Sequence, residues 1–140
     1  MRNLHIQRTF KDLTDILKDP LTENKKIFIS KNDDNILEFD LLVVGPDDAP
    51  YEGSFLIFKF KINDKFPHKA PSVTFMTNDS KGRVRLHPNF YVDGKVCLSV
   101  LGTWQGPGWT SCTSLLTVII ISVKRSKFIR GYINGKTYNN

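Results

Sequence analysis

Strand-like segments with period-two alternation, joined by short turns, constrain the fold of this 140-residue chain more than any other feature. They are predicted at residues 25–31, 36–44, 54–62 and 72–77. No helix-length pattern separates them, so antiparallel connections are expected in place of βαβ units. In the second segment, the side chains expected to share the buried face are Leu37, Phe39, Leu41 and Val43. We therefore predict an α+β domain built on a four-stranded antiparallel meander.

Two further segments carry helical signals of unequal clarity. Ile6, Phe10, Leu13 and Leu17 are spaced four, three and four apart, which places them on one face of an amphipathic helix. That helix is expected to end before Pro20. Residues 114–123 are rich in β-branched side chains, which favours a strand, yet they follow potential helix N-caps. The pattern leaves helix and strand open for this element.

Composition excludes several classes of protein. No apolar run approaches the ~18–20 residues of a membrane span, and the N-terminus lacks the apolar centre of a signal peptide. The two cysteines, Cys97 and Cys112, form neither a disulfide scaffold nor a paired zinc motif, so we expect no metal and no cofactor. A cytoplasmic protein is expected, with the nucleus, or the host cytoplasm of a virus, as alternatives.

The net charge of +6 is concentrated in one part of the chain. Residues 94–140 hold six basic residues and no acid, whereas residues 1–93 hold fourteen of each sign. A nucleic-acid-binding face would be spread over the fold. We interpret the excess as a solvated basic tail and expect neither nucleic acid nor membrane as a partner.

The irregular segment at residues 78–113 contains the main chemical motif. His87-Pro88-Asn89 is followed after seven residues by Cys97, in the run Gly94-Lys95-Val96-Cys97-Leu98. A long irregular segment within a small domain is usually functional. With these motifs the chain resembles the ubiquitin-conjugating enzyme family.

Further motifs in register carry the same resemblance across residues 2–122. They are Gly45-Pro46-x-x-x-Pro50-Tyr51-Glu52-Gly53-x-Phe55 and Phe66-Pro67-x-x-x-Pro71. Phe75-Met76-Thr77 and Leu98-Ser99-Val100-Leu101-Gly102-Thr103-Trp104 are most similar to a large, atypical subgroup. The resemblance implies the ubiquitin-conjugating (UBC) fold, with an N-terminal helix, a four-stranded meander, an active-site loop and a following helix.

The resemblance implies an enzyme that carries ubiquitin, or a ubiquitin-like modifier, as a thioester on Cys97. An activating enzyme would supply the modifier, and a lysine or a ligase would receive it. The attacking form of Cys97 would be the thiolate, which is a strong nucleophile. Asn89 either donates a hydrogen bond to the oxyanion of the tetrahedral intermediate or holds the active-site loop. His87 would order the turn and Pro88 would fix the backbone before Asn89. Cys112 lacks such a context, and we expect it to be structural.

Five residues match positions at which the family meets its partners. Arg8 and Lys11 match the contact with the activating enzyme, although a solvated helix face explains them equally well. Phe66, His68 and Trp104 match the contact with ligases. His68 replaces the aromatic or aliphatic residue common there, which leaves the choice of ligase open.

The family pattern stops after Ser122. We expect a core domain over residues 1–123 and a divergent basic tail over residues 124–140, produced by truncation or a frameshift. Many family members place an acidic or polar residue after this helix to orient or deprotonate the incoming lysine. No acid follows Asp93 in this sequence.

Three functions follow from these observations. The first is an active conjugating enzyme, which Cys97 favours. The second is a catalytically impaired relative that acts as a ubiquitin- or ligase-binding module, which the altered tail favours. The third is a cysteine hydrolase with Cys97 and His87 as a dyad, and it has no further motif in support.

Overall fold

The computed structural model defines the backbone and side chains of most of the domain. The described residues are 3–32, 34–45, 55–76, 89–91 and 93–126, with the backbone alone at 132–133 and 136–137. Residues of the Gly45–Phe55 and Phe75–Thr77 motifs fall partly outside these ranges.

An antiparallel sheet of four strands, paired in chain order, is the central layer. The strands are β1 (Ile27–Asn32), β2 (Asn35–Val44), β3 (Phe55–Lys61) and β4 (Ser72–Phe75). Each strand pairs with the next one along the chain. The predicted meander is therefore confirmed, with strand ends shifted by one or two residues.

The alternation along β2 and β3 sets one apolar face of the sheet. Phe39 lies opposite Phe60, and their rings stack with centroids 4.9 Å apart. Leu41 lies opposite Phe58, and both side chains are fully buried. Because side chains alternate along a strand, one register places all four of these residues in the core.

Helices α1 (Leu4–Lys18) and α3 (Leu115–Ser126) pack together and both contact β2, while α2 (Pro20–Glu23) is a single turn. The segment that the pattern left open is thus a helix. The Thr117 amide donates to Ser114 Oγ over 3.2 Å, which caps the first turn. The β-branched residues remain helical because packing overrides their strand propensity. The buried residues of α3 are Leu115, Val118, Ile119, Ser122, Val123 and Ser126.

The predicted inward face of α1 is wrong in part. Leu13 is buried, but Ile6, Phe10 and Leu17 are 37%, 65% and 46% exposed. The face that packs on the core is rotated around the helix and consists of Thr9, Asp12, Leu13 and Ile16. Asp12 is not one of the four apolar residues of the predicted face, yet the fold buries it.

Asp12 is buried because its carboxylate joins two helices. Arg8 Nε donates to Asp12 Oδ1 over 3.0 Å, and the Leu115 amide donates to Asp12 Oδ2 over 3.0 Å. The Arg8 guanidinium also donates to the carbonyls of Ser111 at 2.9 Å and Thr113 at 3.0 Å. A carboxylate at the N-terminus of a helix complements its unpaired amides and its dipole. This network of Arg8 and Asp12 fixes where α3 starts.

The chain beyond α3 has two short described strands. β5 (Tyr132–Ile133) and β6 (Lys136–Thr137) pair in an antiparallel arrangement. The predicted division at residue 123 falls inside α3, which continues to Ser126, and the separate tail stays a prediction. Among the described residues, no helix is long and apolar enough to cross a membrane.

Replacing Asp12 with Asn tests the link between the helices. The variant loses two charge-assisted acceptors in a buried site, so its free energy of unfolding should fall by about 1–3 kcal/mol. Chemical denaturation measures this change. Asp15→Asn is the matched control, because Asp15 pairs with Lys11 on the same helix at an exposed position and should change stability little. Equal effects of the two substitutions would contradict the assigned role of Asp12.

Candidate active site

Between Asn89 and Cys97, the described residues 90–91 and 93–96 fold back on one another as a hairpin. The Tyr91 amide donates to the Lys95 carbonyl over 2.9 Å, and Phe90 forms an antiparallel bridge with Val96. At its open end the Cys97 amide donates to the Asn89 carbonyl over 2.8 Å. In return Asn89 Nδ2 donates to the Cys97 carbonyl over 2.7 Å. The sequence spacing therefore places the amide of Asn89 directly beside the backbone of the cysteine.

The hairpin is anchored to the core by an aromatic side chain. Phe90 is fully buried, with its ring stacked 4.9 Å from Phe75 and edge-on to Phe58 at 5.1 Å. Such ring pairs add to the free energy gained by burial alone. The residue that follows Asn89 thus fixes the hairpin on the sheet.

The tip of the hairpin docks on the edge strand β4. The Gly94 carbonyl accepts from the Phe75 amide over 2.8 Å, and Lys95 bridges to Thr74. Gly94 has φ +97°, and a Cβ there would lie 2.7 Å from Thr74 Cγ2. Glycine is required at this position by both backbone conformation and space.

The hydroxyl of Thr103 holds the backbone on both sides of Cys97. Thr103 Oγ1 donates to the Val96 carbonyl over 2.7 Å and accepts from the Leu98 amide over 3.0 Å. Both neighbours of Cys97 are therefore fixed by the same side chain. The intervening residues 99–101 form a short 3-10 helix that ends at Gly102, which has φ +75°.

Cys97 lies in the wall of a groove of about 500 Å³. The residue is 2% exposed, and it borders this groove. One wall comes from the active-site loop, and the other comes from the last two turns of α3. The lining residues are Asn89, Cys97, Leu98, Ser99, Val100, Trp104, Gln105, Ile121 and Arg125.

The structure brings some of the predicted site residues together. Asn89 and Cys97 are in direct contact, and Trp104 lies in the same groove and is 60% exposed. His87 and Pro88 lie outside the described residues. Cys112 is an exposed free cysteine in the turn before α3, so any structural role it has is not core packing.

The predicted partner-binding residues differ in the surface they offer. Lys11 and His68 are exposed, whereas the Phe66 side chain is 1% exposed and packs against Trp109 with centroids 5.8 Å apart. Trp109 Nε1 also donates to the Pro67 carbonyl over 2.6 Å. Any partner contact at this link therefore depends on His68 more than on Phe66. The guanidinium of Arg8 is engaged with Asp12 and the turn before α3.

Sequence reasoning missed three residues that shape the site. Gly94 and Thr103 belong to the motifs around Cys97, but their contacts depend on the geometry of the hairpin and cannot be inferred from the motifs alone. Arg125 was assigned to the basic tail, yet it belongs to α3 and lines the groove. Arg125 follows Ile121 by four residues, so a helix predicted through residue 125 would have placed both on one face. In the described part of the chain, no group of three His, Cys, Asp or Glu residues could hold a metal ion.

Two glycine substitutions test the docking of the hairpin. Gly94→Ala and Gly102→Ala each place a side chain at positive φ, at a cost of about 1–2 kcal/mol. Only Gly94→Ala also drives a methyl group into Thr74, because nothing lies within 4 Å of a Cβ at Gly102. We expect Gly94→Ala to be the more destabilising and to raise the alkylation rate of Cys97 relative to Cys112. Unfolding curves and mass spectrometry of the alkylated protein measure these effects, and equal outcomes for the two variants would refute the docking.

Comparison with known proteins gives a consistent family. The model of the ubiquitin-conjugating enzyme family matches residues 8–125. Ubiquitin-conjugating enzyme E2 Z of Xenopus tropicalis is 39% identical over 118 residues, covering 84% of this chain and 36% of that protein. The human E2 Z is 39% identical over 113 residues, covering 81% of this chain and 31% of that protein. The chain thus spans about a third of the length of these relatives.

A solved structure agrees in fold. The crystal structure of a ubiquitin-conjugating enzyme E2 from Plasmodium falciparum superposes with a TM-score of 0.69 at 25% identity. The superposition covers 87% of this chain and 97% of that one. The α+β architecture expected from the sequence resemblance is confirmed. On the extent of the family match and the identity to its members, this chain belongs to the ubiquitin-conjugating enzyme family.

Proposed function

We propose that this chain accepts ubiquitin, or a ubiquitin-like modifier, from an activating enzyme as a thioester on Cys97. It then passes the modifier to a protein substrate or a ligase. The observation that carries the proposal is the pairing of Cys97 with Asn89 at the wall of an open groove, in a chain of this family. A cytoplasmic location, with the nucleus or a viral host's cytoplasm as alternatives, belongs to the same proposal.

The loading step is a thioester exchange. The Cys97 thiolate attacks the carbonyl carbon of the modifier's thioester, and the activating enzyme's cysteine leaves as a thiolate. One C–S bond forms and an equivalent one breaks, so the step is nearly balanced in energy. The protein contributes by holding the cysteine backbone rigid between Asn89 and Thr103.

The contact of Asn89 supports a positioning role. Its side-chain amide already donates to the Cys97 carbonyl, 2.7 Å away, and so orders the loop that carries the sulphur. Donation to the oxyanion of the intermediate would use the same amide group. The positioning role therefore has a direct contact behind it, and the oxyanion role remains the alternative.

The exposed residues Lys11, His68 and Trp104 are the proposed partner contacts. Trp104 has most of its surface free next to the groove, where an aromatic side chain can serve as an anchor. Lys11 presents a cation on α1, although Asp15 lies 3.2 Å away. Arg8 and Phe66 would support these contacts indirectly, because Arg8 links α1 to the turn before α3 and Phe66 packs against Trp109 close to His68 in the chain.

Loading is tested with the purified protein, activating enzyme, ubiquitin and ATP. We expect one adduct that disappears under reducing agent. Cys97→Ala should abolish it, and Cys97→Ser should give an oxyester that resists reduction. Cys112→Ala is the matched control and should load normally, because Cys112 lies in an exposed turn outside the groove.

Absence of the adduct from folded wild-type protein would defeat the proposal. Retained binding of ubiquitin or a ligase in that case would favour the binding-module alternative. Loss of the adduct in Cys112→Ala, with the adduct retained in Cys97→Ala, would identify Cys112 as the nucleophile in place of Cys97.

Asn89→Ala separates the two roles of the asparagine. If the side chain positions the loop, the free energy of unfolding falls by about 1 kcal/mol and discharge of the loaded thioester slows together with it. Asn63→Ala is the control, because Asn63 Nδ2 makes a comparable 3.1 Å bond to the Ala70 carbonyl away from the groove. It should lose similar stability and keep its discharge rate. Slower discharge with unchanged stability in Asn89→Ala would instead identify an oxyanion donor.

A further inference from the structure

The groove at Cys97 carries a charge that the loading reaction does not require. Arg125 is the only formally charged residue among those that line it in the described part of the chain. Among the described lining residues, the others contribute apolar, amide, hydroxyl, thiol or indole groups. A second reactant that approaches the thioester through this groove therefore passes the side chain of Arg125.

The position of Arg125 follows from the helix. α3 continues to Ser126, and Ile121 and Arg125 stand four residues apart on the face that lines the groove. The C-terminus of the helix contributes about half a negative elementary charge, which offsets only part of the guanidinium. Lys124, one residue earlier, is exposed and is not among the lining residues.

The two classes of acceptor differ in the charge that they bring. A thiolate carries a negative charge into the groove, and that charge remains in the tetrahedral intermediate. An amine is an ammonium at neutral pH and must lose a proton before it attacks. Its addition then places a positive nitrogen beside the negative oxygen, and a base must take the second proton. A cation in the groove stabilises the thiolate path more than the amine path.

We propose that Arg125 makes the Cys97 groove selective for a thiolate acceptor, so that the modifier passes to a cysteine of a partner protein in preference to a lysine. The proposal rests on the proposed function. In the transfer, the acceptor sulphur bonds to the thioester carbonyl carbon, and the bond from that carbon to Cys97 Sγ breaks. Cys97 leaves with the electron pair as a thiolate. The acceptor thiol has lost its proton to solvent or to its own protein before it enters, so the groove itself supplies no base. Arg125 acts as a specificity-determining residue.

The test compares two small acceptors that differ only in the nucleophilic atom. Wild-type protein is loaded with ubiquitin, activation is stopped by removing ATP, and 2-mercaptoethanol or ethanolamine is added. Loss of the thioester is followed on non-reducing gels, which gives a thiol-to-amine rate ratio. Arg125→Gln should lower this ratio about tenfold. Arg125→Lys should retain it, and Lys124→Gln, the control with the same loss of charge one residue away, should leave it unchanged.

A second measurement needs no variant. Raising the salt concentration screens an exposed charge, so the wild-type ratio should fall between low salt and 1 M salt. An unchanged ratio in Arg125→Gln, or a ratio in wild type that is independent of salt, would overturn the role of Arg125 and leave the proposed function standing. Failure of wild-type protein to form any thioester would be seen before the acceptor is added, and would overturn the proposed function together with this inference.

Discussion

Two hydrogen bonds between Asn89 and Cys97 close the hairpin on which the site depends. They run in both directions across the seven intervening residues, at 2.8 and 2.7 Å. The hairpin keeps its place because Phe90 is buried among core aromatic rings and Gly94 lies against β4. The cysteine is thus fixed through the sheet, and the free energy of core packing supports the geometry of a surface loop.

The opposite wall of the groove depends on a different constraint. α3 begins where the Asp12 carboxylate accepts the Leu115 amide, and Arg8 holds that carboxylate and the preceding turn. Buried charged groups are tolerated when their hydrogen bonds are satisfied, as they are here. From that start the helix delivers Ile121 and Arg125 to the groove two to three turns later. An ion pair on α1 therefore influences which side chains line the groove beside Cys97.

Features with local or short-range causes could be predicted from the sequence. The alternation along β2 gave the sheet and its buried face, and the spacing of Asn89 and Cys97 indicated their proximity. The core face of α1 could not be predicted in full, because Asp12 is buried by partners more than 100 residues away in the chain. The sequence left α3 open between helix and strand, because its β-branched residues favour a strand and only their packing in the core stabilises the helix. Arg125 was missed because its role exists only if the helix continues past residue 123.

The proposed function requires that Cys97 carry the modifier as a thioester. Intact mass spectrometry of wild-type protein, incubated with activating enzyme, ubiquitin and ATP and then mapped by peptide fragmentation, tests it most directly. We expect a gain of one ubiquitin less one water, located on Cys97, dependent on ATP and reversed by a thiol reductant. An adduct located on Cys112 or on a lysine, or no adduct on folded protein, would contradict it.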